Sequence, residues 1–296
     1  MIELRNSENS PLRYPGGKSR RAMKLLRFAD QQRKHYVEFF CGGMGMLIRA
    51  RRERLFRSYL ANDADPYVIT FWRILRDYPT ELIKRLWIEY DHHGAGDYEL
   101  FQQCKENLEY GNEVTKAAAF YILNKLSAWG AVNGTMIRTD KVPKGLRPTL
   151  IEKLPLFSEL LQGVHLTNLD YKDIDITKGT FAFLDPPYEP NGSTLYQYHV
   201  DLFDFSEWVK QLSCSWMISL NDSPSTNRLF ADFPKLIEPL HYPPAMNSKS
   251  GAFECQKVSE MIIMNYRRSS RDAFVRLFGW SERKSHISSR ACQDTL

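Results

Sequence analysis

Phe181-Ala182-Phe183-Leu184 is an unbroken apolar run, and Asp185-Pro186-Pro187-Tyr188 follows it at once. A short apolar run without polar alternation reads as a strand buried on both faces. Paired prolines forbid the strand from continuing within a sheet. The chain is therefore expected to hold an α/β sheet whose strand ends here in a rigid turn, at the carboxyl edge where such sheets bind ligands. The turn suits a flat ring carrying an amine. The Asp185 carboxylate accepts one N–H, the Pro186 carbonyl accepts another, and Tyr188 offers a stacking face. The plain alternative is a strand-ending turn with a capping aspartate.

A second unit lies upstream. Tyr36-Val37-Glu38-Phe39-Phe40 reads as a strand, Cys41-Gly42-Gly43-Met44-Gly45 as a Gly-rich turn, and Met46-Leu47-Ile48-Arg49-Ala50 as a helix. Strand, Gly-rich turn and helix make the nucleotide-binding βα unit, in which glycines let the backbone approach a ligand. The next strand, Ser58-Tyr59-Leu60-Ala61, ends in Asn62-Asp63. An acid about 20 residues past the glycines is where a ribose hydroxyl pair is held.

Taken in order, these motifs resemble the Dam-type DNA adenine N6-methyltransferase family. Arg13-Tyr14-Pro15-Gly16-Gly17-Lys18 resembles its N-terminal motif, and Val37 to Gly43 its S-adenosylmethionine (SAM) loop. Asn62-Asp63 resembles its ribose-binding acid, Asp170-Tyr171 its acid–aromatic pair beside the SAM adenine, and Asp185 to Tyr188 its catalytic motif. Glu260 to Tyr266 resembles its closing core strand, so the resemblance covers nearly all the chain to about Tyr266. It implies a Rossmann-like, SAM-dependent methyltransferase sheet with an inserted, mostly helical target-recognition subdomain. Residues 1–64 and 151–266 would form the catalytic part, 65–150 the helical part and 267–296 a basic tail.

The resemblance further implies a reaction in which a flipped-out adenine takes a methyl group from SAM. Asp185, Pro186, Pro187 and Tyr188 would be catalytic. Tyr14, Lys18, Glu38, Phe40, Cys41, Gly42, Gly43, Asp63, Asp170, Tyr171 and Asp185 would surround the cofactor. Lys18, Asn133, Gly134, Arg138, Lys141, Lys144 and Arg147 would meet double-stranded DNA. A restriction or defence-system partner is a further implication. There are departures: Phe39 stands where the family usually has proline, and Met44 where it often has a small residue. Lys141 to Pro148 also departs from the family's recognition segment, which leaves the target sequence open.

Composition agrees without deciding. A formal charge of +5 is mildly basic, a weak sign of nucleic acid by itself. The basic residues cluster at Lys18, Arg20, Arg21, Lys24 and Arg27, at Arg49 to Arg57, and in the recognition loop. Phosphate contact is expected for Lys18 and the loop, and a solvated helix face for the second cluster. The five cysteines form no Cys-x-x-Cys pair and none follows a proline. A metal site and covalent attack on a pyrimidine ring are both disfavoured. Lacking an export signal or a long apolar run, the chain is expected in the cytoplasm.

Further strands are expected at 163–166, 216–220 and 259–265, and helices around 67–75, 82–87 and 117–126. His92-His93 reads as part of a Gly-rich surface turn. Ser219 to Asp222 reads equally as pocket lining or as an Asx-type turn. Tyr196 and Tyr198 read as a loop that could close over the base. Two other classes stay open: methylation of cytosine N4 or of RNA, and a non-catalytic SAM- or DNA-binding descendant within a larger complex.

Overall fold

A computed structural model describes residues 9–14, 16–127, 130, 145–187, 199–241, 245–246, 253–254 and 257–267. Its centre is a mixed seven-stranded sheet: β1 (His35–Glu38), β2 (Ser58–Asn62), β3 (Val164–Thr167), β4 (Thr180–Leu184), β5 (Ser215–Asn221), β6 (Lys235–His241) and β9 (Lys257–Met264). The spatial order is β3-β2-β1-β4-β5-β9-β6. Strands β1 to β5 pair in parallel, and β9 runs antiparallel between β5 and β6. Two short strands, β7 (Ala245–Met246) and β8 (Phe253–Glu254), pair separately. The expected α/β, Rossmann-like sheet is present.

The chain steps outward from β1 to β3, then returns to lay β4 beside β1. That reversal makes a switch point at the carboxyl ends of β1 and β4, where such sheets usually hold a ligand crevice. The Gly-rich turn leaves β1 there, and Asp185 leaves β4 there. Both faces of the sheet are covered. Phe181 and Phe183 enter one apolar cluster, Ala182 and Leu184 the other. This two-sided burial is why β4 shows no polar alternation.

On the first face lie α1 (Ala22–Leu26) and α2 (Gly45–Arg52), with α7 (Pro148–Ile151) and α8 (Leu154–Leu161) following the insert; α9 (Leu202–Lys210) and α10 (Pro224–Leu229) back the second. Between β2 and β3 the chain inserts α3 (Pro66–Asp77), α4 (Pro79–His93), α5 (Tyr98–Tyr110) and α6 (Glu113–Leu126). Asp65, Asp97 and Asn112 cap α3, α5 and α6 by accepting backbone N–H groups of the first turn. Proline opens α3 and α4, where its missing N–H costs nothing. Every residue of α6 from Ala117 to Leu126 is buried, so this helix forms the insert's core.

The structure departs from the sequence reading at His92-His93 and at β6. His92 and His93 belong to the last turn of α4, which Gly94 ends at φ 56°, and His93 Nδ1 lies 3.0 Å from Asp97 Oδ2. Helix α5 falls within the part expected to be mostly helical, and Leu100, Phe101, Cys104 and Leu108 carry its buried stripe. Strand β6 was unexpected. Pro239 interrupts its pattern, and the sheet tolerates that because β6 is an edge strand. Contacts separate Met1–Tyr266, which contains all these elements, from Arg267–Leu296.

Candidate active site

The turn after β1 is held from three directions. Gly42 adopts φ 40° and Met44 φ 50°. A side chain at Gly42 would meet the Tyr14 ring at 2.7 Å, so Tyr14 lies directly over this glycine. The Gly42 carbonyl accepts the Trp72 indole N–H at 2.8 Å, and its N–H donates to Asp63 Oδ2 at 2.7 Å. Met44 is fully buried in the core cluster, and Phe39 is fully buried with its ring edge-on to Trp208. Both departures from the family pattern are thus packed as core.

Glu38 ends β1 beneath this turn. Its Oε2 accepts the Leu47 N–H of α2 at 2.8 Å and the Tyr36 hydroxyl at 3.0 Å. The carboxylate therefore satisfies an otherwise orphaned donor of the helix. Burial pushes its pKa up to about 8, against the pull of these two hydrogen bonds. Asp63, half-buried at the end of β2, accepts Gly42 N–H on Oδ2 and Asp65 N–H on Oδ1 at 3.0 Å. Burial raises its pKa to about 6, again against its backbone donors. Each oxygen engages one backbone N–H and retains a lone pair for a hydroxyl.

Asp170 starts a short 3-10 turn, Tyr171–Asp173, by accepting the Lys172 N–H at 2.9 Å. Tyr171 joins a half-buried aromatic wall, 5.4 Å from Phe40 and 4.7 Å from Trp208 between ring centroids. Cys41 is buried and donates its N–H to the Asn62 carbonyl at 2.8 Å. The residues expected around a cofactor on β1, β2 and β3 therefore meet at one edge of the sheet.

Asp185 stands across the crevice from them. Lys18 Nζ lies 2.8 and 2.7 Å from its two carboxylate oxygens, 2.9 Å from the Gly16 carbonyl and 3.1 Å from Glu260 Oε1. Glu260 also accepts the Ser219 hydroxyl at 2.7 Å, and Arg21 pairs with its other oxygen. Side-chain exposure is 8% for Lys18 and 26% for Asp185, so the carboxylate is the more open partner. Burial opposes the charge on Lys18, yet Asp185 and Glu260 outweigh it and hold the ammonium protonated well above the ordinary lysine range. Lys18, read from sequence as a phosphate contact, is thus directed at two carboxylates inside the protein. Ser219 faces Glu260, whereas Asp222 accepts the Asn227 side-chain amide at 2.7 Å.

The N-terminal motif is anchored to the insert. Asn124 Oδ1 accepts the Arg13 N–H at 2.9 Å, and Asn124 Nδ2 donates to the Arg13 carbonyl at 2.7 Å. Arg13 Nη1 donates to the Lys125 carbonyl at 2.8 Å, and the Lys125 ammonium donates to the Pro11 carbonyl. Burial lowers the Lys125 pKa to about 7, with Arg13 and Arg147 adding to the effect. Sequence reading missed Glu260, Arg21 as its partner, and the Asn124–Lys125 anchor. A glutamate opening the apolar stretch Met261-Ile262-Ile263-Met264 was the available signal for the first.

Arg147 is exposed at the start of α7. Tyr188, Tyr196, Tyr198, Asn133, Gly134, Arg138, Lys141 and Lys144 lie outside the described residues. Among the described residues no group of three or more His, Cys, Asp or Glu side chains could hold a metal ion, and no helix is long and apolar enough to cross a membrane.

Residues 14–237 match the family described as D12 class N6 adenine-specific DNA methyltransferase. The chain is 22% identical over 215 residues to the type II methyltransferase M.MjaIII of Methanocaldococcus jannaschii, covering 66% of this chain and 74% of that protein. Among solved structures, a Pyrococcus horikoshii protein described as an RNA methyltransferase aligns at TM-score 0.40 and 10% identity, over 86% of this chain and 84% of that one. The rRNA methyltransferase aviRa of Streptomyces viridochromogenes aligns at TM-score 0.37 and 13% identity, over 85% and 86%.

Proposed function

Because this chain belongs to the D12 class of N6 adenine-specific DNA methyltransferases, we propose that Asp185, the Pro186 carbonyl and Tyr188 hold the target adenine for methyl transfer to N6. The observation that carries this reading is the position of Asp185. It leaves β4 at the crevice where β4 returns to β1, with its carboxylate partly open and charge-paired from behind by Lys18. A duplex buries the adenine amine, so the base is extruded into this crevice. Asp185 and the Pro186 carbonyl each accept one N–H of the amine, which turns the nitrogen lone pair away from the ring. Held in line, the nitrogen reacts by proximity and orientation, and its proton is lost after methylation.

S-adenosylmethionine, when bound, supplies the activated methyl group. The residues present suit it. Asp63 has a free lone pair on each oxygen for a vicinal hydroxyl pair. The absence of side chains at Gly42 and Gly43 lets Tyr14 pack directly on the turn, and Asp170 with the Phe40–Tyr171 wall suits an adenine ring. Glu38 acts from beneath by fixing the turn on α2.

In this reading residues 1–64 and 151–266 carry catalysis, and 65–150 read the duplex through Asn133, Gly134, Arg138, Lys141, Lys144 and Arg147. The substrate is double-stranded DNA in the cytoplasm, and a restriction nuclease is the partner that the relative's type II description suggests.

The test is single-molecule sequencing of DNA from a methylation-free host expressing the chain or its Asp185→Ala variant. Modified adenine in one short motif, lost in the variant while SAM binding survives, is the expected result. Wild-type-like modification by the variant would refute the role of Asp185.

A further inference from the structure

Lys18 is shared. An ammonium has three protons, and here they meet Asp185, Glu260 and the Gly16 carbonyl. Glu260 lies opposite Asn221 in the β5–β9 register, and its side chain is 7% exposed. A buried carboxylate costs several kcal/mol of desolvation unless paired, and an apolar residue would pack there without that cost. Glu260 is paired on every side described: Ser219 and Lys18 on one oxygen, Arg21 on the other. Both cations come from the N-terminal segment, and both acids come from the sheet at the crevice.

This sharing affects Asp185. A carboxylate gripped by an ammonium of its own is partly neutralised and accepts other donors less strongly. Glu260 draws the same ammonium toward β9, so part of the Asp185 charge stays available on its open side. We propose that Glu260 is a positioning residue for methyl transfer, which sets how strongly Asp185 accepts the target amine by holding the Lys18 ammonium between the two carboxylates. The proposal rests on the role assigned to Asp185 above.

The groups acting on Asp185 are Lys18, Glu260, Glu38 and the Ser219 hydroxyl; those on Glu260 are Lys18, Arg21 and the same hydroxyl. Burial pushes the Asp185 carboxyl up, Lys18 pulls it down, and Glu260 pushes it up again. Removing the Glu260 charge takes away an upward push and leaves Lys18 wholly to Asp185. The acidic limb of activity must therefore move to lower pH.

The experiment compares the full-length wild type, Glu260→Gln and Glu260→Asp. For Glu260→Gln, kcat is expected to fall roughly 10- to 100-fold. The acidic limb of kcat/KM should move down by about one pH unit, and the SAM Kd should stay within about threefold of wild type. The Lys18 side-chain carbon, followed by NMR in 13C-lysine protein, should titrate at lower pH than in the wild type. Glu260→Asp keeps the charge on a shorter arm and should give the same shifts at smaller size. It serves as the test if the amide variant does not fold. A reduced kcat with an unmoved limb would make Glu260 merely structural and overturn the proposal, as would an unmoved Lys18 titration. Absence of adenine methylation by the wild type would instead defeat the reading of Asp185, and the Lys18 titration would still decide whether Glu260 holds the ammonium.

Discussion

Lys18→Met isolates the ion-pair cluster, because methionine fills the aliphatic space and removes only the charge. Asp185 and Glu260 then face each other without the cation that separates them, while Arg21 still pairs with Glu260. Breaking a buried pair by removing one partner costs about 3–5 kcal/mol. The Asp185 side chain is 26% exposed, so solvent screening trims this to about 2–3 kcal/mol at pH 8. The sign with pH follows from linkage. Without Lys18 the folded-state Asp185 carboxyl, already raised by burial, rises further above its unfolded value near about 4. The folded variant then binds a proton that the unfolded chain does not, so stability is lost as pH rises through the raised pKa. At pH 5 the deficit should shrink to under about 1 kcal/mol. Urea unfolding of wild type and variant at pH 5 and pH 8 measures both numbers. An equal deficit at the two pH values, or no deficit at pH 8, would refute the shared-ammonium account.

Two other perturbations probe the cofactor side. Asp63→Ala should raise the SAM Kd by about 10- to 100-fold through loss of charge-assisted hydrogen bonds, whereas Asp185→Ala should leave it nearly unchanged; calorimetry on both variants separates the two acids. Glu38→Gln keeps acceptors for Leu47 and Tyr36 but cannot ionise. Burial raises the wild-type carboxyl to about 8, so the wild type loses stability as pH climbs from its unfolded value through that range, by about 4 kcal/mol. The variant should lack that slope in thermal melts between pH 5 and pH 8, and parallel slopes would remove Glu38 from its buried, helix-capping role.

Much of this could be read in the chain because the informative contacts are local. The strand, turn and first helical turn from Tyr36 to Ala50 are contiguous, and so are Phe181 to Asp185. Backbone chemistry alone, a glycine run or paired prolines after an apolar run, marks both. The sequence was least legible where the deciding partner is distant. Lys18 and Arg21 looked like members of an open basic cluster, and only the fold brings β9 and Glu260 against them. His92 and His93 looked like loop residues because Gly94 and Gly96 follow, yet the helix runs to its glycine stop. Strand β6 was obscured by Pro239, which is permitted by an edge position that no local pattern announces.

The Asn124–Lys125 anchor has a practical consequence for recombining enzymes of this kind. The backbone around Pro11 and Arg13 is clasped by the final turn of α6, and the residues assigned to reading the duplex, Asn133 to Arg147, come after that turn in the chain. A chimera that transplants a foreign segment should be spliced after Ser127. A junction placed upstream of Asn124 would sever the clasp, and the transplanted segment would arrive with the Pro11–Arg13 backbone unanchored.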